Sequence, residues 1–225
     1  MENINLLGKF KNILESFVSS LKETYEEGLV SVILYGSAAR GEFSGKYSNL
    51  NLLVVLNDTS LPNLKKVSKL VNKIKFRRLN VLFFTPDHIK TSTDVFPIEF
   101  LDLKAHHIVL YGKDALKDVQ VDIRNLRFQC EQELKEKLLN IKARYLRSRS
   151  KFALKDLLFA SFTSVSHITK SLNRITDKVS ADSEVFRKIK EAKAGNVRLS
   201  SGEIESLFSD FVAELEKIVD LVDKI

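Results

Sequence analysis

The chain has 225 residues, 44% of them hydrophobic and 29% charged, with 8 glycines, 3 prolines and a formal net charge of +7. That composition excludes a disordered or collagen-like chain, and the single cysteine, Cys130, excludes an internal disulfide framework and suits a reducing compartment. No apolar run approaches the roughly 20 residues that span a bilayer. The segment from Met1 to Asn5 carries no basic cluster and leads into an amphipathic pattern, so a cytoplasmic protein with no membrane partner is expected.

Residues 4–27 place Leu6, Phe10, Ile13, Leu14, Phe17, Val18 and Leu21 at helical spacing, which predicts an amphipathic helix. Leu29 to Tyr35 reads as a short buried strand that stops at Gly36-Ser37, after which Ala38-Ala39-Arg40 begins a helical turn. Leu50 to Leu56 is apolar except for Asn51, the pattern of a mid-sheet strand covered on both faces. Pro62 opens a helix with Leu64, Val67, Leu70, Val71 and Ile74 on one side and basic residues on the other. A third strand follows over Leu79 to Phe84. Thr85 then reads as an N-cap with Pro86 at the first helical position. A short helix near Ile98 to Ala105 and an edge strand over Ile108 to Tyr111 complete the first part.

After Gly112 the pattern turns helical, with stretches expected over about 118–148, 152–175, 182–194 and 201–224. The first carries Leu126, Cys130, Leu134, Leu138, Ile141 and Tyr145 on one stripe, and Ser200 to Glu203 has the spacing of a capping box. Long amphipathic helices bury their stripes against one another, so a bundle is expected. The division is drawn near residue 115, giving domains over 1–115 and 116–225.

Two stretches are strongly basic. Lys65 to Arg78 holds seven basic residues and Lys142 to Lys155 holds six, with no acidic residue in either. Both fit solvated helix faces or ends, and both leave nucleic acid open as a partner.

The informative stretch is Leu34-Tyr35-Gly36-Ser37-Ala38-Ala39-Arg40-Gly41-Glu42, followed by Tyr47-Ser48-Asn49-Leu50-Asn51. A strand ending in Gly-Ser and running into a helical turn suits phosphate binding. Glycine admits the phosphate to the backbone, the hydroxyl donates to it, and the turn supplies free N–H groups. A P-loop is excluded, because Glu42 stands where lysine is required after Gly36 to Gly41 and Tyr47 follows Gly45-Lys46. No dinucleotide fingerprint, His-Glu-x-x-His zinc pattern or Gly-x-Ser-x-Gly elbow is present.

On Gly36, Ser37, Ala39, Arg40, Gly41, Glu42 and Ser48, with the apolar strand after them, residues 30–56 resemble the nucleotidyltransferase superfamily, which includes kanamycin nucleotidyltransferase and polymerase β. The resemblance implies an α+β nucleotidyltransferase-type domain, a mixed sheet with flanking helices, followed here by an all-α helical bundle. It implies nucleotide binding at Gly36, Ser37, Arg40 and Ser48. In that family two aspartates after the serine and a carboxylate on a later strand hold Mg²⁺. The matching positions here are Asn49, Asn51 and Asn80.

Asparagine offers a metal one neutral carbonyl oxygen, and Mg²⁺ prefers anionic oxygens. The expectation is therefore a catalytically impaired or inactive relative, a pseudoenzyme that retains a nucleoside triphosphate and holds no metal. Mg²⁺ enters only if the protein is active. Activity would then draw on other carboxylates, with Glu42, Glu99 and Asp102 as candidates. The competing expectations are a regulatory or antitoxin-like module with a protein partner, or with a second copy as a homodimer, and a nucleic-acid-binding protein acting through the two basic runs.

Overall fold

The computed structural model describes residues 8–41, 49–73, 79–179 and 183–225. The chain separates into two compact units, Met1–Val121 and Asp122–Ile225. The first contains α1 (Gly8–Tyr25), β1 (Leu29–Tyr35), a 3-10 turn (Gly36–Ala38), β2 (Leu50–Leu56), α2 (Leu61–Lys73), β3 (Leu79–Phe84), α3 (Pro86–Thr91), α4 (Pro97–Ala105) and β4 (His107–Gly112). The three strands β1, β2 and β3 run over the residues expected from their Val/Ile/Leu content.

The sheet has the order β3-β2-β1-β4. β1 is antiparallel to both β2 and β4, while β2 and β3 are parallel. This is the mixed sheet with flanking helices that the sequence implied. β1 and β2 lie inside it, which is why both are almost continuously apolar: side chains alternate between faces, and both faces are covered. On one face Val32, Leu34, Leu52 and Val54 pack with Leu14, Phe17 and Leu21 of α1 and Val67 of α2. On the other, Ile33, Leu53 and Val55 pack with Ile89 of α3 and Phe100 of α4.

The second face is completed by Leu116 and Val119, both buried. The sequence boundary near residue 115 and the helix expected from residue 118 both fall short of this. Residues 115–121 belong with the sheet because their apolar side chains complete its core. The first bundle helix starts at Ile123, where the Asp122 carboxylate caps it by accepting the Arg124 N–H at 2.8 Å.

Gly112 ends β4 with φ +77, beside β1, and a Cβ there would run into the Val30 carbonyl oxygen. Only glycine meets both conditions. Gly112→Ala is expected to lower the unfolding free energy by about 2 kcal/mol or more in chemical denaturation, from the strained backbone and the clash together.

The second unit contains α5 (Ile123–Tyr145), α6 (Lys151–Leu172), α7 (Glu184–Lys193) and α8 (Ser201–Val222). Leu126, Cys130, Leu134 and Ile141 of α5 are buried, as are Leu158, Val165 and Leu172 of α6 and Phe211 and Leu215 of α8. The Phe186 ring of α7 meets Phe162 edge-on at 5.5 Å and Phe211 at 6.1 Å between centroids, which ties three helices together. Tyr145, expected on the buried stripe, is instead 48% exposed at the end of α5 and stacks on Phe208. The spacing of Tyr145 is helical, but its helix ends there, so no second turn covers it. Among the described residues no helix is long and apolar enough to cross a membrane.

The capping box is formed in both directions. Ser200 Oγ accepts the Glu203 N–H at 3.3 Å, and the Glu203 carboxylate accepts the Ser200 N–H at 2.7 Å. Ser200→Ala is expected to cost about 1 kcal/mol of stability by the same measurement. Burial, assisted by the Glu133 carboxylate, pushes the Cys130 thiol up to about 12. Cys130 is therefore expected to resist a disulfide reagent at about pH 8 in the native protein and to react at once in denaturant.

Candidate functional site

The strand register builds the site. β1 ends at Tyr35, which lies opposite Asn51 of β2 on one side and His107 of β4 on the other. Asn51 in turn lies opposite Asn80 of β3. Residues in register share a face because side chains alternate with period two. His107, Tyr35, Asn51 and Asn80 therefore form one row across all four strands, with neighbours about 4.8 Å apart in backbone spacing. The row lies on the face that carries Ile33, Leu53 and Val55, at the end of β1 where the chain turns away.

At that turn Gly36 has φ +77, and its carbonyl accepts the Ala39 and Arg40 N–H groups at 3.0 and 3.1 Å. A Cβ on Gly36 would lie 2.7 Å from Asn51 Nδ2, so the turn backbone and the Asn51 amide are in direct contact. Asn80 Nδ2 donates to Asn51 Oδ1 at 3.4 Å. That bond takes up the Asn51 oxygen and leaves its N–H₂ group toward Gly36. Asn49, immediately before β2, is exposed, as are Asn80 and Arg40, while Ser37 and Asn51 are half-buried. Ser48 and Glu42 lie outside the described residues.

Of the residues singled out in the sequence, the structure thus brings together Gly36, Asn51 and Asn80, with Ser37 and Asn49 adjoining them in the chain. Glu99 and Asp102 lie on α4, Glu99 exposed and Asp102 half-buried. Among the described residues there is no group of three or more His, Cys, Asp or Glu side chains that could hold a metal ion. The donors at Asn49, Asn51 and Asn80 are neutral amides, one of whose oxygens is already hydrogen-bonded. This set does not fit Mg²⁺, which binds through carboxylates and its own water shell.

Two members of the row were not singled out in the sequence. Burial holds the Tyr35 hydroxyl above its ordinary pKa, so it remains an O–H donor at neutral pH. The His107 ring faces two oxygens, the Lys104 carbonyl at Nδ1 and the Asp114 carboxylate at Nε2, both at 3.1 Å. Asp114 also accepts the Leu116 N–H at 3.0 Å, so His107 links the start of β4 to the segment that closes the sheet core. The signal available for Tyr35 was its place directly before Gly36. His107 had none, because only the pairing of β4 with β1 brings it into the row.

The first basic run begins on α2, with Lys65 and Lys66 exposed; residues 74–78 lie outside the described residues. The second spans the end of α5, the following turn and the start of α6.

No family model and no curated protein matches the chain. Among solved structures the chain is similar to a spectinomycin adenyltransferase from Enterococcus faecialis, crystallised with ATP and spectinomycin, at a TM-score of 0.46 and 10% sequence identity. The likeness covers 89% of this chain and 97% of that one.

Proposed function

We propose that the first unit is a nucleotidyltransferase-like module that holds a nucleoside triphosphate by hydrogen bonding and does not transfer it. The reading joins the resemblance of residues 30–56 to one observation: the Asn51 amide packs against Gly36 while its oxygen is held by Asn80. A phosphate approaching the left-handed glycine meets N–H donors from the turn and from Asn51, with the Ser37 hydroxyl alongside. Arg40, exposed at the end of the turn, adds positive charge. Carboxylates at the same places would repel the phosphate unless a cation neutralised them.

Transfer is a different matter. An acceptor hydroxyl must attack the α-phosphorus as pyrophosphate leaves, and charge grows on the phosphoryl oxygens as it does so. Neutral amides that hold no cation offer little to that transition state, so binding outlives turnover. The protein is then a pseudoenzyme whose output is occupancy of the site.

Calorimetry with ATP and GTP, in chelator and in Mg²⁺, tests the reading. Binding is expected to persist in chelator. Binding that appears only with Mg²⁺, or formation of a nucleotidylated product from labelled triphosphate by the unmodified protein, overturns it. Gly36→Ala is expected to weaken binding by about 10-fold or more, because the added Cβ displaces the Asn51 amide and strains the turn. The triple change Asn49→Asp, Asn51→Asp and Asn80→Asp is expected to weaken chelator-phase binding by at least about 10-fold and to make the remaining affinity depend on Mg²⁺.

A further inference from the structure

The second basic run is not used by the nucleotide site, and in the structure it becomes the tip of a helical hairpin. α5 ends at Tyr145, and Ser150 caps α6, its hydroxyl accepting the Ala153 N–H at 3.2 Å. Two of the six cations are occupied. Lys142 pairs with Glu216 at 2.6 Å, and Lys155 lies over the Phe159 ring at 5.4 Å. Arg144, Arg147, Arg149 and Lys151 are all exposed, and none is paired with a carboxylate among the described residues. The first turn of α6 contains no acidic residue to offset them.

The same tip exposes apolar side chains. Leu146 is 83% and Phe152 73% exposed. A solvated helix end accounts for the cations but not for a bare leucine and phenylalanine among them. Beside the tip, between α5 and α8, lies an open groove of about 500 Å³ lined by Lys142, Tyr145, Leu146, Glu205, Phe208 and Val212. In it the Tyr145 ring is stacked on Phe208, with centroids 5.2 Å apart and planes 16° from parallel.

We propose that this tip and groove bind single-stranded RNA. Guanidinium groups at Arg144, Arg147 and Arg149 match backbone phosphates in forked geometry. The exposed Phe152 ring offers a face on which a base stacks, and the Tyr145 edge of the groove receives a second. Glu205, on the groove wall, accepts from an exocyclic base amine or a ribose 2′-hydroxyl, a contact that DNA lacks in its second form. A duplex keeps its bases stacked inside and has nothing to place in the groove. An anionic lipid surface lying on this face would meet the carboxylates of Glu205 and Glu216, whereas a single strand follows the cations past them.

The test is fluorescence anisotropy of the full chain with a labelled single-stranded RNA of about 12 nucleotides, over a series of salt concentrations. Reversal at three positions, Arg144→Glu, Arg147→Glu and Arg149→Glu, is expected to weaken binding by more than about 10-fold and to flatten the log–log salt slope by about 2. Phe152→Ala is expected to weaken binding by about 10-fold with the slope unchanged. All four side chains are exposed, so thermal melting is expected to be unaltered; should the triple reversal melt early, the pair Arg147→Gln and Arg149→Gln replaces it and is expected to weaken binding in the same direction. RNA affinity unchanged by these substitutions overturns the proposal. So does equal or tighter binding of single-stranded DNA of the same sequence, and so does sedimentation with phosphatidylserine vesicles in the absence of RNA binding.

Discussion

The candidate site depends on one contact, the Asn51 amide against the left-handed Gly36. Antiparallel pairing of β1 with β2 sets it, since Tyr35 opposite Asn51 leaves the next residue of β1 to turn away directly above that amide. Glycine is required there twice over, by its φ of +77 and by the space the Asn51 nitrogen occupies. Because β1 and β2 are the buried middle of the sheet, with Val32, Ile33, Leu34, Leu52, Leu53 and Val54 at or near zero exposure, the contact cannot relax by sliding one strand past the other. A slip of one residue would turn every one of those side chains to the wrong face.

The amides also set what the site demands of its surroundings. Carboxylates placed side by side repel, and they are held together by a cation or by sharing a proton. Asparagines placed side by side are donor and acceptor to one another, as the bond from Asn80 to Asn51 illustrates. The Asn51 oxygen is thereby taken up, and the Asn51 N–H₂ group lies against Gly36. Tyr35 adds a hydroxyl to the same row.

The helical unit follows a plainer logic. Side-chain caps stop the helices at defined residues: Asp122, Ser150, Ser183 and Ser200 each accept a backbone N–H at a helix start. Stripes of Leu, Ile, Val and Phe then pack inward, with Phe186 at the junction of α6, α7 and α8. Ion pairs reinforce one end of the bundle, where Lys135 bridges Glu131 of its own helix and Asp223 beyond α8. Such exposed pairs are worth little individually. The contrast with the α5–α6 tip is the informative feature, because there Arg144, Arg147, Arg149 and Lys151 stand without a carboxylate partner among the described residues.

Much of this was legible locally. Runs of Val, Ile and Leu marked β1, β2 and β3, and the Thr85-Pro86 and Ser200 to Glu203 patterns marked helix starts, because propensity and capping act over a few residues. Asparagine at 49, 51 and 80 could also be read directly. Tertiary structure alone decided that Asn80 reaches Asn51, since parallel pairing of β2 with β3 runs through the α2 crossover and leaves no local trace. It also decided that His107 joins the row, that Leu116 and Val119 belong to the sheet, and that Tyr145 stays at the surface. A strand's period says which side chains share a face; which strand lies beside it, and in what register, is settled only when the cores of the whole sheet are closed.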